Sequence, residues 1–226
     1  MQTVSCPNCG NPLTYTSPAL PVKVCDRCQS VVVRHDDQLE RIGEAAVLPF
    51  DVSPIQIGSM GMDEGPAGRM GFTIVGRIRW GWANGSWNEW LALFDDGSNA
   101  WLGEAMGDFM LLREVDIATD PQLQGLAAGG MPALGATIVA GDTSYVATDI
   151  KSAHILASEG ELPFRCATDW TIESVDYRSP GTQCASFQRD EDGVSFYAGH
   201  VVSLGDLRMH GLRAIEGWTV PEFVNG

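Results

Sequence analysis

Four cysteines near the N-terminus have the spacing of a metal site. Cys6 and Cys9 form one C-x-x-C pair, Cys25 and Cys28 form a second, and 15 residues separate the two pairs. Two such pairs at this separation are typical of a zinc ion held by four thiolates. We therefore predict one Zn²⁺ per chain at these four side chains, with iron as the alternative metal.

The residues around these cysteines predict a zinc ribbon over residues 1–42. Short β-prone runs lie at residues 13–16, 22–24 and 31–33. About forty residues bury too little apolar surface to fold alone, whereas a bound zinc contributes on the order of 10 kcal/mol. Because four protein sulfurs complete a tetrahedral shell, no position remains for water or substrate. We expect the metal to be structural rather than catalytic.

A second group of residues with possible chemistry is a dense run of tryptophans. Five of the seven tryptophans fall within 22 residues, namely Trp80, Trp82, Trp87, Trp90 and Trp101. The favoured interpretation is cross-strand packing inside a β-domain. The alternative is a pocket in which Trp87, Glu89, Trp90 and Trp101 bind a small cation such as a polyamine, because indole faces and negative charge both favour cations.

Other reactive side chains show no catalytic pattern. The four histidines have no ligand spacing, and the sequence contains no phosphate-binding glycine loop, dinucleotide fingerprint or nucleophile elbow. Glu159, Glu161 and Asp176 could supply an acid and a base, but chance occurrence is favoured. Cys166 and Cys184 are expected to be reduced, partly buried thiols. The sequence leans against an enzyme without deciding the question.

Short alternating runs with turn residues between them predict a mostly β fold beyond residue 55. We divide this part into a first β-unit (55–118), a connector with about one helical turn (119–133) and a second β-unit (134–226), each barrel-like or sandwich-like. Both units place an acidic, glycine-ended turn between aromatic strands, which suggests a degenerate duplication. Residues 36–46 are interpreted as a short helix or a linker.

The charge balance restricts the partners. The chain has 14 basic and 29 acidic side chains and a net charge of −15. Such a chain repels phosphate backbones and anionic lipid surfaces, so we expect neither nucleic acid nor a membrane as partner. We find no secretory signal in the first residues and no apolar stretch of the ~20 residues that a spanning helix needs. These features predict a cytoplasmic protein.

Several short motifs occur in a fixed order along the chain. They are Gly76, Trp87-Asn88-Glu89-Trp90, Trp101-Leu102-Gly103-Glu104, Glu159-Gly160-Glu161-Leu162-Pro163-Phe164 and Tyr197-Ala198-Gly199. Together they resemble the uncharacterised bacterial domain-of-unknown-function 4178 family over roughly residues 55–205. The resemblance implies an N-terminal zinc ribbon and a bacterial envelope or stress setting. It supplies no catalytic residues.

The functional interpretation follows from these observations. We favour a non-enzymatic adaptor or scaffold whose acidic, tryptophan-rich surface binds another protein. The first alternative is a ligand-binding or enzymatic β-module with the tryptophan and glutamate pocket described above. The second alternative, a nucleic-acid-binding ribbon, is disfavoured because a near-neutral ribbon is attached to an acidic body.

Overall fold

The computed structural model describes residues 1–35, 38–46, 53–65, 68–166 and 170–217. This part of the chain consists mostly of strands, as predicted, with helix α1 at Pro121–Ala128 and a 3₁₀ turn at Ile117–Thr119 before it. The strands are β1 (Gln2–Ser5), β2 (Pro12–Tyr15), β3 (Val22–Val24), β4 (Ser30–His35), β5 (Gln38–Glu44), β6 (Met60–Gly65), β7 (Gly68–Trp82), β8 (Gly85–Phe94), β9 (Asn99–Ala105), β10 (Asp108–Glu114), β11 (Thr137–Ala140), β12 (Thr143–Leu162), β13 (Thr171–Arg178), β14 (Gln183–Arg189) and β15 (Val194–Val202).

Eight strands of the large sheet close into a ring. Strands β7, β8, β9 and β10 form one antiparallel meander, and β12, β13, β14 and β15 form another. β10 pairs with β15 and β7 pairs with β12, so that the two meanders join at both edges. A closed sheet of eight strands is a barrel whose interior is wide enough for side chains or for one small ligand.

The two meanders fall within the two β-units predicted from the sequence. Their first strands pair with each other, and so do their last strands. Two repeats related by a two-fold axis would have this arrangement. Because strands from the two sides of the connector pair directly, both units belong to one sheet. The domain boundaries themselves stay a prediction.

Strand β12 connects three parts of the fold. Its first half pairs with β13, its second half pairs with β7, and its last two residues pair with β3. Glycines permit the close contact of β12 with β7. A Cβ atom at Gly76 would lie 1.9 Å from the Glu161 carbonyl oxygen, and Gly160 has a φ of +73° with the Val75 oxygen 2.2 Å from a built Cβ. These contacts explain why glycine stands at both positions.

Apolar cores cover the outer faces of both meanders. Leu207 and Met209, which follow β15, pack in one core with the outward side of the first meander. Leu123 of α1 packs in a second apolar core with outward residues of the second meander, including Tyr177. Since successive side chains of a strand point to opposite faces, the alternate set of residues faces the barrel interior.

The N-terminal part contains a β1–β2 hairpin and three strands that extend the large sheet from β12 in the order β3, β4, β5. The prediction of a helix or linker over residues 36–46 is wrong for the described residues, since Gln38–Glu44 is strand β5 and pairs with β4. The exposed edge of β4 supplies backbone partners that outweigh weak local preference. The connector helix has eight residues rather than one turn. In the part of the chain that the structure describes, no helix is long and apolar enough to cross a membrane.

Candidate metal centre and barrel cavity

The four N-terminal cysteines come together as the spacing predicted. Their sulfur atoms all lie within 4.8 Å of one another. The Sγ atoms of Cys6 and Cys28 are 3.7 Å apart, and those of Cys9 and Cys25 are 3.8 Å apart. A tetrahedral ion with metal–sulfur bonds of about 2.3 Å would space its ligands by about 3.8 Å. The geometry therefore fits one metal ion, and all four thiols are free.

Two similar turns position these sulfurs. The Gly10 N–H donates to the Cys6 carbonyl at 2.9 Å, and the Gln29 N–H donates to the Cys25 carbonyl at 2.8 Å. Both Gly10 and Gln29 have the left-handed backbone conformation, with φ of 74° and 57°. Each turn therefore places the two sulfur atoms of its C-x-x-C pair on the same side. Each pair can supply two of the four ligands of a metal site.

The surroundings of Cys28 favour the thiolate form. The Ser30 hydroxyl oxygen lies 3.3 Å from Cys28 Sγ. Hydrogen bonds from the Ser30 side chain and backbone lower the pKa of Cys28 to about 6, below its ordinary value. Only the thiolate binds a metal, so these hydrogen bonds favour metal binding by Cys28.

A cavity of about 230 Å³ occupies the barrel interior, and every one of the eight strands contributes to its wall. The wall combines aromatic rings with carboxyl groups. The aromatic residues are Trp82, Trp87, Trp101 and Tyr197, and the carboxyl groups that face the interior belong to Glu89, Asp149 and Asp176. Glu104 also borders the cavity, but its carboxylate accepts hydrogen bonds from the outward Asn88 and Trp90. Lys151 is the one basic residue that lines it among the residues described. The cavity is thus both aromatic and acidic.

Glu89 lies in this cavity among neutral donors. The indole N–H of Trp80 donates to it at 2.8 Å, the indole N–H of Trp87 at 3.2 Å and the Gln188 amide at 3.1 Å. Burial raises the pKa of Glu89, the three hydrogen bonds oppose this effect, and the negative charge of Asp176 raises it further. A cation that enters beside a carboxyl group in this environment stabilises its ionised form.

Asp176 is the second carboxyl group with a perturbed titration. Burial raises the pKa of Asp176, a hydrogen bond from Ser186 and the charge of Arg178 lower it, and Asp149 raises it again. Two acids with raised pKa values in one cavity are typical of a functional site. Such groups can exchange a proton or act as counter-ions to a bound cation.

The structure brings three of the four predicted pocket residues together. Trp87, Glu89 and Trp101 line the cavity. Trp90 lies outside it, because it follows Glu89 on β8 and points to the opposite face. Its side chain is fully buried in the outer core, where its indole N–H donates to Glu104 at 2.9 Å and the Arg77 guanidinium lies 4.7 Å from its ring centre.

Sequence reasoning missed the contribution of the second meander. The sequence indicated Asp176 only as one of three acids whose occurrence could be due to chance. On β13, Ser174 and Asp176 point to one face, while the outward Val175 and Tyr177 are fully buried apolar side chains. Polar residues on the interior face of an otherwise apolar strand could have indicated a cavity. Glu159, in contrast, pairs with Arg77 away from these groups.

Together these features define a class of protein: a closed antiparallel barrel of eight strands with an acidic, aromatic interior and an N-terminal four-cysteine motif that could hold a metal. The chain belongs to the family described as Domain of unknown function (DUF4178), whose model matches residues 68–204. The match begins with β7 and ends just after β15, so it covers the whole barrel. No curated protein and no solved structure matches the chain.

Proposed function

We propose that the protein is a binding protein that takes a small organic cation into its barrel interior. The observation that carries the proposal is the pair of carboxyl groups, Glu89 and Asp176, in a cavity walled by the rings of Trp87 and Trp101. Closed barrels of eight strands are a known scaffold for one small ligand. The sequence favoured an adaptor, but this geometry supports its first alternative better.

The physical case rests on charge and size. Burial disfavours the ionised form of both carboxyl groups, and an entering cation would offset that cost. A cation within about 6 Å of an indole ring gains a further ~0.5–2 kcal/mol. The cavity volume of about 230 Å³ is smaller than a pocket for a drug-sized ligand, which holds roughly 300 Å³ or more. A short amine or one arm of a polyamine matches these properties.

The test is a titration of intrinsic tryptophan fluorescence with tetramethylammonium, a short diamine and spermidine, and with a neutral alcohol of similar size as the ligand control. We expect a saturable change with at least one cation and none with the alcohol. Glu89→Gln should weaken binding about tenfold or more, since a hydrogen-bonded charge is worth ~1.5–3 kcal/mol.

Glu173→Gln is the matched control variant, because Glu173 lies on β13 beside the cavity residues but alternates with them to the outer face. Its affinity should stay within about twofold of the wild type, since an outward surface charge interacts weakly. The proposal fails if no cation changes the fluorescence at millimolar concentration, or if the two variants weaken binding equally.

We also propose that the four cysteines hold one structural Zn²⁺ per chain. Four thiolates at tetrahedral spacing suit zinc, and the small N-terminal core needs the metal to fold. Metal analysis after purification without chelators should give one zinc per chain. A Cys6, Cys9, Cys25 and Cys28 to Ser variant should lose the metal and the N-terminal fold, while a Cys166 and Cys184 to Ser variant keeps both. Iron, or no metal at all, would contradict this proposal.

The remaining functional predictions stay predictions. A cytoplasmic location agrees with four reduced metal ligands, because the cytoplasm keeps thiols reduced. A protein partner for an adaptor role can be sought by affinity capture with the full chain. The acidic net charge continues to argue against nucleic acid as partner.

A further inference from the structure

The mouth of the barrel cavity already holds a cation that belongs to the protein. The Lys151 ammonium forms an ion pair with Asp149 and lies 5.6 Å from the centre of the Trp82 ring. All three side chains line the cavity. Asp149 and Lys151 keep 50% and 29% of their side-chain surface exposed, so this end of the cavity faces solvent. A carboxylate and an indole face around an ammonium are the groups that recognise alkylammonium ligands.

A bulge in β12 turns these two residues inward. Ala147 pairs with Tyr177, and both side chains lie in the outer core. After the register shift, Asp149 pairs with Asp176, and both side chains line the cavity. In a regular strand Ala147, Asp149 and Lys151 would all share one face. The inserted residue therefore brings an acid and a base to the mouth, as bulges near functional sites often do.

We propose that Lys151 is a built-in competitor for the ligand, and that its ammonium occupies the outer cation position between Asp149 and Trp82. This inference rests on the proposed function of the cavity. A ligand cation that enters at the mouth displaces the Lys151 ammonium, which moves into solvent on its flexible side chain. The ligand then takes over the contacts with the carboxylate and the indole ring.

The charge of Lys151 also acts on Asp176 inside the cavity. It lowers the raised pKa of Asp176, so that the ammonium partly neutralises the interior when no ligand is bound. Displacing it exposes that carboxyl group to the ligand. Lys151 thus sets a minimum affinity for ligands. A weakly bound cation does not displace its ammonium, whereas a cation that also reaches Glu89 does.

The experiment compares Lys151→Met with Lys151→Arg in a tetramethylammonium titration of the full-length protein. Lys151→Met removes the competing charge and keeps an unbranched side chain. We expect its affinity to rise about three- to thirtyfold, the combined value of an exposed ion pair and one cation–π contact. Lys151→Arg keeps the charge and should stay within about threefold of the wild type.

A control variant separates local competition from general electrostatics. Arg165→Met also removes one positive charge, from a side chain that is 57% exposed and outside the cavity lining. It should change the affinity by less than about twofold, because exposed charges at a distance are screened by salt. Circular dichroism of each variant checks that the fold is kept.

The outcomes distinguish this inference from the function it rests on. If the wild type binds, Glu89→Gln does not, and Lys151→Met binds no more tightly than the wild type, the competitor role is wrong while the binding function stands. If neither the wild type nor Lys151→Met binds, both are wrong. Tighter binding by Lys151→Met and Arg165→Met alike would also contradict a local competitor.

Discussion

Glu89 and Asp176 are interior carboxyl groups whose pKa values the barrel raises. In water both would be ionised at neutral pH, but burial raises the pKa of each; the charge of Asp176 raises that of Glu89 further, and the charge of Asp149 raises that of Asp176. The three donors around Glu89 are neutral, so the hydrogen bonds satisfy its oxygens without neutralising its charge. The proposed binding of a cation would therefore favour ionisation of these groups and would be coupled to the release of a proton.

This coupling predicts a definite pH dependence of stability without ligand. The unfolded chain releases the protons of Glu89 and Asp176 near pH 4, whereas the folded chain releases them at higher pH. The folded state then binds more protons in that window, so the contribution of these groups to the free energy of unfolding falls as pH rises from about 4 through the raised pKa values. Asp176→Asn should remove part of this fall.

Urea unfolding at several pH values measures the effect as the difference between wild type and variant, and a small-cation ligand should reduce the fall. The Asp108→Asn variant of an exposed acid is the control and should follow the wild type at every pH. Identical pH profiles for Asp176→Asn and the wild type would show that Asp176 titrates normally.

At the scale of single residues, the sequence predicted the features that depend on local spacing. The cysteine pairs are each four residues long, so their pattern alone indicated the metal site. Trp87 and Glu89 could be placed on one face by alternation, but the same alternation puts Trp90 on the other face. Asp176 could not be assigned to the site, because its place opposite Glu89 depends on pairing between strands distant in sequence.

At the scale of elements, the attachment of the N-terminal strands to the barrel depends on the end of β12. The Glu161 carboxylate is almost fully buried there and accepts hydrogen bonds at 2.8 Å from the Thr16 N–H. The Lys23 ammonium lies 3.3 Å from the same carboxylate. One side chain of the barrel thus satisfies a backbone donor and a charge of the N-terminal, cysteine-containing part.

Glu161→Gln should weaken this attachment. The neutral amide loses the ion pair and presents an N–H group to a backbone donor, which costs about 2–3 kcal/mol. Glu44→Gln is the control, since its exposed pair with Arg41 is worth at most ~1 kcal/mol. Urea unfolding measures both costs, and limited proteolysis should release the N-terminal strands faster only in Glu161→Gln. Equal stability of the two variants would contradict the role of Glu161.

Sequence patterns indicated a mostly β chain and one hairpin turn in each unit, but not how the strands connect. The β8–β9 hairpin was indicated by its Asp-Gly turn, and the β14–β15 hairpin by a similar acidic turn. Strand β12 is long, and its bulge interrupts the alternation on which a sequence pattern depends. Strand β5 was missed because its partner edge, rather than its own composition, fixes its conformation.

At the scale of the whole molecule, two meanders that could not form a barrel separately close into one. The sequence predicted the mostly β fold and two similar units. It could not predict ring closure, because pairing of β7 with β12 and of β10 with β15 is a property of register rather than of either segment. The cavity exists only after closure, which explains why half of its lining was not recognised.

The most direct measurement of the central claim is calorimetric titration of the full-length protein with the cation that gives the strongest fluorescence response. We predict one binding site per chain in the wild type, an affinity at least about tenfold lower in Glu89→Gln, and an unchanged affinity in Glu173→Gln. Cation binding of equal strength in wild type and Glu89→Gln, or no heat of binding in the wild type, would contradict a ligand site inside the barrel.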